Sequence, residues 1–142
     1  MKFAACAAPL PATVEHVFTM ETQGEADALA AANGMIAVAT AEEFVRPRLW
    51  WIDGAGSVAA RPSPPPPPAL NAGVEADWAG LPPGATVRVV DPSLDPPAEV
   101  GADTASGAGL LAIRIDAAGP WRLVVDEAFP TLAAVFDIEV GE

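Results

Sequence analysis

The residues able to do chemistry are few and scattered. His16 is the one histidine of the 142-residue chain and Cys6 the one cysteine. A zinc site takes three or four nitrogen, sulfur or oxygen ligands, so a single imidazole is a poor start for one. A nucleophilic thiol needs an activating base beside it in a dry pocket, and Cys6 stands in an alanine-rich terminus with no histidine near it in sequence. His16 therefore reads as a partly buried packing residue and Cys6 as an inert thiol. Carboxylates are plentiful. Asp91, Asp95, Glu99 and Asp103 fall in one proline-rich stretch and offer the oxygen ligands calcium prefers, but the fixed order of an EF-hand loop is absent. That stretch reads as a solvated acidic loop. A glycosidase pair would need two carboxyls facing across a sugar cleft, and two small modules leave little room for one. Neither a phosphate-cradling glycine loop nor a GxSxG elbow occurs. The expectation is a non-enzymatic protein with no cofactor and no metal.

The chemistry left is that of contact. Trp50 and Trp51 are adjacent, so in a strand their indoles point to opposite faces. One can enter a core; the other lies outside unless something covers it, and tryptophan is enriched among the residues that dominate interfaces. Trp50, Trp51 and Arg61, at the far end of the same hairpin, are the interface candidates. Arg61 also opens the run RPSPPPPPAL, in which Arg61, Pro64 and Pro67 fit the RxxPxxP pattern of SH3 ligands. Proline-rich segments meet that pattern cheaply. Trp78 and Trp121 are candidates for contact with a carbohydrate or a peptide in the C-terminal half.

The elements that must position these residues change character at the prolines. Thr13 to Glu21 alternates, with Val14, His16, Phe18 and Met20 on one face, which predicts a strand. Thr22 and Glu25 then match a capping box, Ala26 to Ala32 favours helix, and Asn33-Gly34 supplies a left-handed stop. Met35 to Thr40 predicts a second strand. Residues 49–53 and 57–61 flank a glycine-rich turn and predict a hairpin. Beyond the prolines, strands are predicted over 74–78, 85–90, 110–116, 121–126 and 135–140, separated by proline and glycine turns. Short strands at regular spacing without a helix indicate an antiparallel sandwich. The fold expected is an α+β N-terminal module (residues 1–61), a polyproline linker (62–68) acting as a semi-rigid spacer, and an all-β immunoglobulin-like sandwich (69–142).

Composition sets the outer limits. Nineteen acidic side chains stand against 7 Lys plus Arg, for a formal charge of −12. Nucleic-acid binding needs clustered cations, and the one lysine and six arginines here are scattered, so no nucleic-acid partner is expected. The acid excess keeps the chain off anionic membranes, and no apolar run reaches the ~18 residues of a membrane span. MKFAACAAPLPA faintly imitates a signal peptide or a lipoprotein box, but the stretch is short and broken by prolines, so neither is expected. With a single cysteine, disulfides cannot staple two small modules, which fits assembly in a reducing cytoplasm.

The order of pieces resembles a loose class of small bacteriophage virion proteins, associated with tails or tail fibres or decorating capsids. The resemblance runs from "LWWIDGAGSVAARP" through the prolines to "AGLPPGATVRVV", "DAAGPWRLVV" and "FPTLAAVFDIEV". It implies a structural role without catalysis, a virion location after assembly in the host cytoplasm, and partners among other virion proteins in a homo-oligomeric or symmetric assembly. Contact with a host surface is a further partner it implies. The alternative reading is a bacterial carbohydrate- or peptide-binding sandwich module.

Overall fold

Why KFAACA forms a strand becomes plain once both its faces are seen. The computed structural model describes residues 1–142, and the chain divides into two compact units, Met1–Pro62 and Ser63–Glu142. In the first, β1 (Lys2–Ala7) is the central strand of an antiparallel sheet of order β3-β1-β4, with β3 at His16–Thr19 and β4 at Met35–Thr40. Helix α1 (Gln23–Ala32) covers one face, where Phe3, Ala26, Ala30 and Ala37 form a buried cluster and Phe3 stacks on Phe18 at 5.8 Å. A second sheet lies against the other face, with β5 (Trp50–Ile52) between β2 (Ala12–Thr13) and β6 (Val58–Ala60). There Ala4, Cys6, Val14 and Ile52 are buried together. A strand covered on both sides needs apolar residues throughout, and small ones where helix and sheet approach closely. Hence the alanine run.

The helix forms as its signals dictate. The Thr22 side chain accepts from the Glu25 amide at 3.2 Å, and Gly34 takes φ +70 after the C-cap Asn33. The strand expected over Thr13–Glu21 is two strands. Between them the chain passes from one sheet to the other: the Val14 amide donates to Trp50 O and the Glu15 amide to Ala5 O. The crossing breaks the expected alternation, so Val14 faces the Cys6–Ile52 cluster while Phe18 and Met20 face the helix side.

The second unit is all β. Strands β12 (Ala134–Val140), β11 (Gly119–Val125), β8 (Thr86–Asp91) and β9 (Ala98–Thr104) form an antiparallel sheet in that order, and β7 (Ala76–Trp78) pairs with β10 (Leu111–Ile113) in a second. Alternate residues point into one core: Val87 is opposite Val125, Val89 opposite Leu123, and Leu123 opposite Phe136. From the smaller sheet Trp78, Leu111 and Ile113 join them. This architecture is compatible with a β-sandwich. The acidic stretch expected as a loop contains β9 instead. Its residues 99–104 are exposed, as an edge strand with one partner allows, and the alternation of Ala98, Val100 and Ala102 with Glu99, Gly101 and Asp103 is too weakly apolar to mark a strand.

The prolines expected as a linker over 62–68 fall within the second unit from Ser63 onward. Pro64 is buried, and the Trp78 Nε1–H donates to Pro65 O at 3.2 Å. An apolar segment without amide hydrogens gains more from lying on an aromatic core residue than from standing in water.

Candidate functional site

The hairpin that carries the tryptophan pair is closed by Asp53, whose Oδ1 accepts from the amides of Ala55 and Ser57 at 2.9 and 2.8 Å. Its register sets Trp50 opposite Ala60 and Trp51 opposite Ala59. Trp50 shares the inward face with buried Ile52 and packs on the Ala4–Cys6–Val14 cluster; Trp51 takes the other face and is half-buried. Neither indole is fully exposed. Arg61, the third interface candidate, is 8% exposed. Its guanidinium Nη1 donates to Arg48 O at 3.0 Å, and its amide donates to Leu49 O at 2.8 Å. The Arg48 amide in turn donates to Val14 O at 2.7 Å, with Arg48 itself at φ +69. Arg61 is thus a strut for the loop before the hairpin rather than a surface cation.

That loop holds what the sequence reading missed. Residues 41–49 carry Phe44, 74% exposed, and Leu49, 44% exposed. Phe44 is the most exposed of the large apolar residues. Hydrophobic period does not distinguish it from a core phenylalanine, since AEEFVRP shows none; the clue available was the pair of acidic residues before it and the proline after.

The remaining candidates separate. His16 was expected to be partly buried and is exposed, because β3 is an edge strand and its alternation begins only after the crossing. Cys6 is fully buried, and its thiol pKa is raised, first by desolvation and second by the Glu15 carboxylate, which leaves it a poor nucleophile. The acidic residues do not converge: Asp91 Oδ1 accepts from the Ser93 amide, Glu99 pairs with Arg88, and Asp103 accepts from the Thr104 amide. No group of three or more His, Cys, Asp or Glu side chains is placed to hold a metal. No helix is long and apolar enough to cross a membrane. Trp78 is 1% exposed and belongs to the core, with Phe136 edge-on at 5.7 Å and its indole N–H held by Pro65 O, so it leaves no open surface in the folded chain. Trp121 is half-buried and lines a cleft of about 290 Å³ with Val89, Val100, Gly101, Arg114 and Asp116. Its Nε1–H is tied to Ala117 O at 2.9 Å, and Arg114 is paired with Asp116 at 2.6 Å.

Compared with protein-family models, curated proteins and solved structures, the chain matches none.

Proposed function

We propose that the chain is a non-enzymatic structural component of a bacteriophage particle, tail- or fibre-associated or a capsid decoration, that docks through its first unit and presents an immunoglobulin-like second unit. The observation that supports docking is Phe44, a bulky apolar side chain 74% exposed on a loop pinned by buried Arg61. An aromatic ring held in water on a braced segment suits insertion into a partner's pocket. The partner is another virion protein, met in a symmetric array, and such contacts stabilise small units by mass action.

Strand order supports the immunoglobulin-like part. That sandwich pairs its second strand with its fifth, and sets its third, sixth and seventh together in the other sheet. Residues 70–72 stand first, bridging in parallel from Asn71 to Gly141. Counting from there, β7 and β10 are second and fifth, and β8, β11 and β12 are third, sixth and seventh. The fourth, β9, departs by pairing with β8.

The test is incorporation. A Phe44→Asp chain, with folding checked by circular dichroism, is expected to be lost from purified particles that retain the wild-type chain. Undiminished incorporation of that folded variant contradicts docking through this loop. A second reading, a carbohydrate- or peptide-binding module, is favoured by the Trp121 cleft with its Arg114–Asp116 pair. Under it, Trp121 rather than Phe44 is the residue whose loss removes function.

A further inference from the structure

The proline run fits the SH3-ligand pattern, yet the groups such a partner would grip are engaged. Arg61 is 8% exposed and donates to Arg48 O, and Pro64 is buried. Against the second unit, Pro65 makes two contacts. Its carbonyl accepts the Trp78 indole N–H at 3.2 Å. Its ring closes on Gly80, where an added Cβ would lie 3.3 Å from Pro65 Cγ and where φ is +81. Just downstream, Leu70 is buried in the core and its carbonyl accepts the Gly141 amide at 2.9 Å. The run is therefore anchored at Pro65 and again at Leu70.

The strand that carries Trp78 gives a reason for a proline segment there. β7 pairs with β10 alone, so its other edge has no ladder. An unpaired edge is a template for another chain, and proteins blunt such edges with proline or by covering them. Proline has no amide hydrogen, so the run can offer Pro65 O to Trp78 without inviting a further strand. Recognition by aromatic side chains that donate to a proline-segment carbonyl is the logic of polyproline grooves generally.

We propose that the Trp78–Gly80 surface is a polyproline seat filled by the chain's own Ser63–Pro68 segment, which seals the indole and the β7 edge and withholds the run from SH3-type partners. The occupant is in cis.

The experiment follows the Trp78 indole N–H by NMR hydrogen exchange in the full chain, with its resonance assigned by its disappearance in Trp78→Phe. In the wild type this proton exchanges slowly. In a variant with Pro64 to Pro68 all replaced by serine it is expected to exchange about fivefold faster or more, the factor that corresponds to losing a hydrogen bond worth ~1 kcal/mol. A synthetic peptide spanning residues 61–70 added in trans restores the protection. If the serine variant fails to fold its second unit, the run is integral to that unit, the same result in stronger form. A milder double variant, Pro64→Gly with Pro65→Gly, keeps Leu70 as anchor and is expected to show intermediate protection. Protection equal to wild type in both variants overturns the proposal, as does binding of an SH3 domain to the wild-type chain without loss of Trp78 protection.

Discussion

Arg88 stands at the centre of the outer face of the larger sheet. Its guanidinium reaches Asp126 at 2.8 Å and Glu99 at 3.2 Å, on β11's end and β9, while Arg122 pairs with Asp137 across β11 and β12 at 2.7 Å. Asp126 is held below its ordinary value of 3.8, first by the hydrogen bond from Arg88; Asp137 is held below it in the same way by Arg122. The unfolded chain binds protons on these carboxylates before the folded chain does. Their stabilisation is therefore complete above pH 3.8 and fades as pH falls toward the lower folded values. The melting-temperature gap between wild type and Arg88→Ala is expected to be steady near neutrality and to close below that pH. These side chains are roughly two-fifths exposed, so added salt shrinks the gap as well. A gap unchanged down to strong acid would show that Arg88 acts through packing instead. At this scale the sequence was uneven as a guide. The Trp50–Trp51 doublet was readable as one indole inward and one outward, because strand geometry forces it. The strut role of Arg61 and the exposure of Phe44 were not, since both depend on what the folded loop leaves beside them.

Capping and alternation made several elements legible before any coordinates. Thr22, Glu25 and Gly34 delimit α1, and Leu123, Phe136 and Ile138 mark the inward faces of β11 and β12 through their period of two. The elements that escaped notice have no such period. β1 is apolar on both faces because helix and sheet each cover one, and β9 is exposed on both because little covers it. The Val14–Glu15 crossing was hidden because a strand that changes sheets keeps extended residues throughout. Turns are a sharper case of local chemistry. Gly109, in the β9–β10 connection, has φ +73, and a Cβ there would lie 2.3 Å from Leu81 O, a backbone atom that cannot swing aside. Gly84 has φ +74 and open space around it. Gly84→Ala is expected to lose about 1 kcal/mol from backbone strain alone, and Gly109→Ala roughly 2 kcal/mol or more beyond that. Urea unfolding followed by tryptophan fluorescence separates the two; equal losses would mean the Leu81 approach is not a constraint.

Each unit of the molecule has a core of its own: the Phe3 and Cys6 clusters on either side of β1 in the first, and the Trp78–Leu123 core in the second. Both are small, in the range where a single core is only marginally stabilising. The first unit ends at Pro62, and the chain's one helix, α1, lies within it. What the sequence could not show is that the prolines would side with the second unit, since their affinity for Trp78 depends on an indole brought close only by folding. Units of this size gain stability from fixed neighbours, which the proposed symmetric particle would supply at high local concentration. The most direct measurement is mass spectrometry and imaging of purified phage particles from cells that express this chain. The account predicts the chain at stoichiometric, symmetric copy number, with density for residues 1–62 against a neighbouring virion protein. Recovery of the chain only as free protein in the host lysate, with particles devoid of it, would contradict the account.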